Sequence, residues 1–165
     1  MTIFQVQDVC RKPGDSVALM SEIQNCTFSE IDSTILYKIL RLRSEIFVVE
    51  QSSIYLDLDG HDTDPQTRHI WINNSDEPVS YLRVLSEPDG NRIGRVATSV
   101  EFRGRGLATE LLEYVADLTE GKLTLHAQSH LADWYKSLGY VVTGEEFDDG
   151  DGIPHLPMRC PVPGS

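Results

Sequence analysis

Long apolar runs are missing from this chain. Nowhere does it approach the roughly 20 consecutive apolar residues that cross a bilayer. Its first residues hold no signal-peptide core either, because Arg11, Lys12, Pro13, Gly14 and Asp15 interrupt the opening segment. Cysteine is scarce: Cys10, Cys26 and Cys160 are odd in number and far apart, with no Cys-x-x-Cys pair. That argues against a disulfide framework or a thiolate zinc site, and reduced thiols fit a cytosolic protein. Basic residues are outnumbered, 14 Lys and Arg against 26 Asp and Glu, for a net charge of −12. A general nucleic-acid binder needs a basic footprint that this chain lacks, whereas cations, protonated amines included, are attracted to it.

What is present suits one soluble domain. At 165 residues the chain can bury roughly 70% of the surface its unfolded form exposes. Its 40% hydrophobic and 24% charged content is ordinary for a globular protein, so composition points to no special class. One local exception stands out. Arg92, Arg95, Arg103 and Arg105 fall in a stretch whose only acid is Glu101, and such a glycine-bearing basic patch in an acidic chain suggests an anion.

Residues 1–20 lack clear periodicity and read as a loose arm, with the domain over 21–160 and a short tail over 161–165. A first strand is expected over Ile23–Phe28. Asp32 or Ser33 caps an amphipathic helix marked by Ile35, Leu36, Ile39, Leu40, Ile46 and Phe47. The acidic stretch Gln51–Gln66 reads as a long functional or mobile loop. Strands are expected at His69–Ile72, Val79–Leu85 and Arg92–Val100, joined by turns into an antiparallel meander. Leu107, Leu111, Leu112, Val115 and Leu118 mark a helix stopped near Gly121. A strand at Leu123–Ala127, a short helix ended by Gly139, and strands at Tyr140–Thr143 and Ile153–Met158 complete the chain. The order implies an α+β fold, a mixed and mostly antiparallel sheet with flanking helices. One parallel crossover runs from Arg92–Val100 to Leu123–Ala127.

Arg103-Gly104-Arg105-Gly106-Leu107-Ala108 lies between a strand and a helix. Glycines there permit close backbone approach, and the first N–H groups of a helix lack internal partners. With the positive end of the helix dipole they make an anion site. A diphosphate would be held by the amides from Gly104 through Thr109, with Arg103 and Arg105 supplying charge. A Walker loop is excluded because no Gly-Lys-Ser/Thr follows, and a dinucleotide fingerprint fails because its third glycine is Thr109. A tight turn with solvent-facing arginines is the plainer reading of the same segment.

Arg103-x-x-Gly106-x-Ala108 resembles the Arg/Gln-x-x-Gly-x-Gly/Ala pyrophosphate loop of the GCN5-related N-acetyltransferase (GNAT) family. Tyr135-x-x-x-Gly139-Tyr140 is similar to that family's next motif, in the right order and separation. Leu42-Arg43, Phe47-Val48-Val49-Glu50-Gln51, Tyr55, Asp57-x-Asp59-Gly60-x-Asp62, Arg68-His69 and Gly152-Ile153-Pro154-His155-x-x-Met158 resemble its ElaA-like branch. The likeness covers about residues 22–160. Thr98 departs from it, since many members carry a bulkier aliphatic residue there.

The resemblance implies acetyl-CoA as cosubstrate and an amine acceptor, cationic in keeping with the net charge, with no metal, no nucleic acid and no membrane. It implies that the two parallel strands splay and that the pantetheine arm pairs with the backbone around Val96, Thr98 and Val100. Ala97, Leu107 and Gln128 join the coenzyme-contacting set, and Tyr135 is the family's general acid at the departing thiolate. From the residues alone, Tyr135 reads equally as a core aromatic sharing a face with Leu131 and Leu138. A protonated amine cannot attack, so a base or a water relay is expected to help: Glu50 is the first choice, though it could instead cap or pair with an arginine, with His69 and His155 behind it, each also readable as structural. Asp57-x-Asp59-Gly60-x-Asp62 lacks the Gly and Glu positions of a calcium loop. His126 and His130 lack the glutamate of a zinc protease. The acidic cluster Glu145–Asp149 reads as a solvated face. A CoA-binding module without turnover, or an acyltransferase with another donor, are the rival readings, in a monomer or homodimer.

Overall fold

The computed structural model describes residues 22–160; the arm expected over 1–20 and the tail over 161–165 lie outside the described residues. Among the described residues eight strands form one sheet. β1 (Ile23–Cys26), β2 (Arg68–Asn74), β3 (Glu77–Glu87) and β4 (Gly90–Thr98) make the antiparallel meander. β5 (Leu123–Gln128) then runs parallel to β4, and β8 (Pro154–Arg159) runs antiparallel to β5. β6 (Val141–Val142) and β7 (Phe147–Asp148) are two-residue strands on β8, the second arising within the acidic cluster read as a solvated face.

Both faces of the sheet are covered, which explains why β2 and β3 read as nearly continuous apolar runs. Alternate side chains point to opposite faces. On one face Ile70, Ile72, Leu82, Val84, Ile93 and Leu125 pack with Leu111, Leu112 and Val115 of α2 (Leu107–Leu118) and with Tyr135 of α3 (Ala132–Ser137). On the other, Trp71, Tyr81 and Ala97 pack with Ile39 and Leu42 of α1 (Ser33–Arg43) and with Ile46 and Phe47 beyond it. Each such large apolar side chain, fully buried, contributes about 1.5–3 kcal/mol. Asp32 caps α1, Oδ1 accepting the Thr34 and Ile35 N–H groups at 2.9 and 3.3 Å, a contact worth about 1 kcal/mol. No helix among the described residues is long and apolar enough to cross a membrane.

Several boundaries differ from expectation. The first strand stops at Cys26, because Thr27 donates its N–H to Glu30 Oε2 at 2.8 Å and starts a 3-10 turn. β4 stops at Thr98, and Val100 opens another 3-10 turn, Val100–Phe102. The first helix runs to Glu50, before the loop expected from Gln51, but it widens over Ser44–Glu50 into a π-helical turn, closed by the Gln51 N–H on Ile46 O at 3.2 Å. Single π turns concentrate at functional sites, and this one delivers Glu50 and Gln51 to the sheet's open end.

Candidate functional site

The site begins with one extra residue. Tyr81 and Ser80 pair with Ala97 and Thr98, but Arg83 pairs with Gly94, so β4 places three steps where β3 places two. This is a β-bulge, which bends its strand and sharpens the twist. Arg95 sits in it with φ 55°, a left-handed conformation that costs a non-glycine residue about 1–2 kcal/mol.

Buried charge offsets that strain. Arg95 Nε reaches Asp57 Oδ1 at 2.6 Å, and Nη2 reaches Asp57 O and Asp59 Oδ2, both at 3.1 Å. The fully buried Arg43 bonds Asp57 and Asp62 at 3.0 and 2.7 Å, while Arg83 bonds Asp59 and Asp62 at 2.7 and 3.0 Å. The carboxylates that resemble a calcium loop are therefore engaged by three arginines. The loop read as functional or mobile is clamped across β3 and β4. Burial alone would raise the carboxyls of Asp59 and Asp62. The adjacent guanidiniums, Arg83 foremost for Asp59 and Arg43 for Asp62, outweigh it and hold both below the usual range.

Past the bulge the parallel strands separate. β4 and β5 pair only at Asn91–Leu123, Arg92–Thr124 and Ile93–Leu125, yet β4 continues to Thr98 and β5 to Gln128. The Ser99 N–H donates to Val79 O at 2.9 Å. Backbone groups alternate sides along a strand, so those of Val96 and Thr98 face the gap while those of Ala97 face β3. Val100, in its 3-10 turn, lies beyond the strand that was to carry it.

The gap leads to the glycine turn. Gly104 and Gly106 have φ of 73° and 82°, and a Cβ built on either meets no heavy atom within 4 Å. Gly106 is the N-cap of α2, no side chain caps that helix, and its first α-helical bond is Glu110 N–H to Gly106 O at 2.9 Å. The N–H groups of Leu107, Ala108 and Thr109 thus lead an uncapped helix end beside open space, which suits an anion.

The arginines around this cradle are not the free basic patch expected. Arg92 pairs with Glu87 and Arg95 with Asp57 and Asp59. Arg105 donates to Glu101 O at 3.0 Å and lies over the Phe102 ring. Arg103 Nε donates to Thr98 O at 3.1 Å, and its two terminal nitrogens hold both Glu50 oxygens at 2.8 Å. The Arg103 hydrogen bond keeps the Glu50 carboxyl below its ordinary range, which makes it a poor base in this state.

The remaining candidates divide clearly. His69 is fully buried, with Nδ1 on the Tyr81 hydroxyl at 2.8 Å and Nε2 on Asp62 O at 3.0 Å, and burial lowers its affinity for a proton. With both nitrogens engaged it has no access to an acceptor, so its role is structural. His155 lies opposite Gln128 across β5 and β8, on the same face, with Nδ1 on Ile153 O at 2.7 Å. A neutral ring donating from Nδ1 keeps Nε2 as an acceptor. Tyr135 is 5% exposed, and its ring meets Trp134 and Tyr140 edge-on. No described group hydrogen-bonds its hydroxyl, and burial pushes its pKa up, so it stays protonated. His126 pairs with Asp149 at 3.2 Å. Among the described residues no cluster of His, Cys, Asp and Glu is arranged to hold a metal.

Sequence reasoning missed Gln51. Its amide exchanges two hydrogen bonds with Gln128, at 3.2 and 3.0 Å, while the neighbouring Glu50 holds Arg103. Residues 50 and 51 consequently span the mouth of the gap, one tied to each arm. The Glu50-Gln51 dipeptide was visible, but its two partners lie 53 and 77 positions away, and nothing local announces them.

Known proteins resemble this chain in sequence and fold. Residues 47–162 match a family model described as "Acetyltransferase (GNAT) domain". Protein ElaA of Escherichia coli K12 is 36% identical over 151 residues, covering 87% of this chain and 98% of that protein. A UPF0039 protein of Mycobacterium tuberculosis H37Rv is 40% identical over 141 residues, 82% of this chain and 90% of its own. Among solved structures, Escherichia coli ElaA superposes with a TM-score of 0.78 at 35% identity, over 86% of this chain and 100% of that one. An acyl-CoA N-acyltransferase from Pseudomonas aeruginosa superposes with 0.77 at 31% identity, over 85% and 99%.

Proposed function

Because the chain belongs to the GNAT acetyltransferase family, we propose that it transfers an acetyl group from acetyl-CoA to a primary amine, by direct attack in a ternary complex. One observation carries the reading: the parted edges of β4 and β5 run into an uncapped α2 behind two left-handed glycines. An extended amide-bearing arm can pair with the Val96 and Thr98 edge as an added strand, and a diphosphate can rest on the amides of Gly104 through Thr109. Glycine at 104 and 106 fits that group, since a side chain there would project into the cradle.

Arrangement of the protonic groups follows from their contacts. A primary ammonium with a pKa near 10 must lose a proton before it attacks. His155 takes this role, because its Nδ1 donates to Ile153 O and its Nε2 keeps a lone pair. Tyr135, held protonated by burial, donates a hydrogen bond to the departing sulfur. In the balanced reaction nitrogen bonds the acetyl carbon, the carbon–sulfur bond breaks, and a proton lost by nitrogen leaves with CoA as the thiol. Backbone N–H groups on the β4 edge can polarise the thioester carbonyl. The net charge of −12 favours a cationic acceptor.

An assay of CoA release across a panel of primary amines tests this. Amine-dependent release with a matching acetylated product is expected. CoA bound without amine-dependent release would instead identify a CoA-responsive binding module.

A further inference from the structure

Arg103 occupies two positions that an acyl donor needs. Its Nε covers the Thr98 carbonyl, one of the free groups on the β4 edge, at 3.1 Å. Its terminal nitrogens, in a residue that opens the glycine turn, are held by Glu50 in a two-pronged pair at 2.8 Å. Glu50 in turn cannot drift away. Gln51 is fastened to Gln128 on the opposite arm, and Ser53 Oγ donates to Asp151 O beyond it.

We propose that the Glu50–Arg103 pair is a latch across the gap which the acyl donor opens, freeing the Glu50 carboxylate at the mouth for a cationic acceptor. The inference rests on the coenzyme reading given above. An arm pairing with β4 displaces Arg103 from Thr98 O, and a diphosphate on the neighbouring amides draws the guanidinium off the carboxylate. Both features belong to one ligand and act on one side chain. With Gln51 still fastened to β5, the released Glu50 remains over the gap as an uncompensated negative charge. Donor binding therefore precedes productive acceptor binding.

The latch competes with the donor, and this sets the sign of its test. Side chains of Arg103 and Glu50 are 43% and 40% exposed, so the pair is a weak one. Glu50→Gln removes the competitor and tightens the Kd for CoA, measured by calorimetry, by about two- to fivefold, the size expected of one exposed pair. A residue that merely supported the site would do the opposite. In an Arg103→Ala background the same Glu50 substitution leaves the Kd unchanged, because the coupling is gone. Carbon-13 titration supplies a second readout. Among the described residues Arg103 is the charged group against Glu50, so adding CoA should raise the Glu50 carboxyl toward its ordinary range. A Kd unchanged or weakened in Glu50→Gln, or a Glu50 midpoint unmoved by bound CoA, overturns the latch alone. Failure of the unsubstituted protein to bind CoA overturns the latch and the coenzyme reading together.

Discussion

The bulge at Arg95 is where fold and site meet, and it can be tested by two substitutions at one position. Arg95→Ala removes bonds to Asp57 Oδ1, Asp57 O and Asp59 Oδ2 at 2.6, 3.1 and 3.1 Å. Asp57 keeps Arg43 and Asp59 keeps Arg83, so neither carboxylate is left alone. The loss should therefore be that of one charge-assisted contact, about 1.5–3 kcal/mol, rather than the 3–5 kcal/mol of a stranded buried charge. In a domain of this size that lowers Tm by roughly 3–12 °C. Alanine also inherits the φ of 55°. Arg95→Gly escapes about 1–2 kcal/mol of left-handed strain but adds about 0.5–1 kcal/mol of chain entropy. It should thus exceed Ala in stability by roughly 0.5–1 kcal/mol, reversing the usual order in a strand. Urea denaturation with an unchanged m-value measures both. If the bulge sets the gap, either variant should also bind CoA about tenfold more weakly, as one or two misplaced edge hydrogen bonds would cause. Alanine more stable than glycine would refute the strain argument, and unaltered CoA affinity in both would remove the bulge from the site.

Gly106→Val places a branched side chain at φ 82° in the open cradle; CoA affinity should fall by more than tenfold, or about 1.4 kcal/mol, and unchanged affinity in calorimetry would dismiss the turn as an anion site. Tyr135→Phe should lower kcat by roughly 10²-fold with little change in the Kd for CoA, and undiminished turnover would return Tyr135 to the core alone. Asp59 and Asp62 are held below their unfolded values. Their stabilisation is therefore present above about pH 4 and is lost as pH falls through the lowered folded values. Asp62→Asn should flatten the acid limb of a stability–pH curve, and an identical limb would mean the network does not govern acid unfolding.

Periodicity carried much of this fold. The nearly continuous apolar runs of β2 and β3 and the stripe in α2 each answer to burial against neighbours that the chain order itself implies. The glycine turn was legible for a different reason, since only φ and backbone approach decide it. What sequence could not supply was the pairing of charges across long separations. Arg43, Arg83 and Arg95 meet Asp57, Asp59 and Asp62 only because the loop folds back over β3 and β4, so those aspartates looked like a broken metal site. For the same reason the sequence left Glu50 open between a base and the partner of an arginine, without saying that the arginine is Arg103. A carboxylate's chemistry depends on what lies within 3 Å of it, and sequence spacing does not give that. The π turn escaped notice because its apolar positions, Ile46 and Phe47, continue a helical stripe while its extra width comes from the backbone.

Coenzyme binding here depends on a diphosphate cradle of main-chain amides beside a parted strand edge. Nitrogen-15 mapping of the backbone during titration with CoA tests it most directly. The largest shifts are expected at Gly104 through Thr109, with a second set at Val96 and Thr98. Saturable binding that moves other amides and leaves these in place would contradict it.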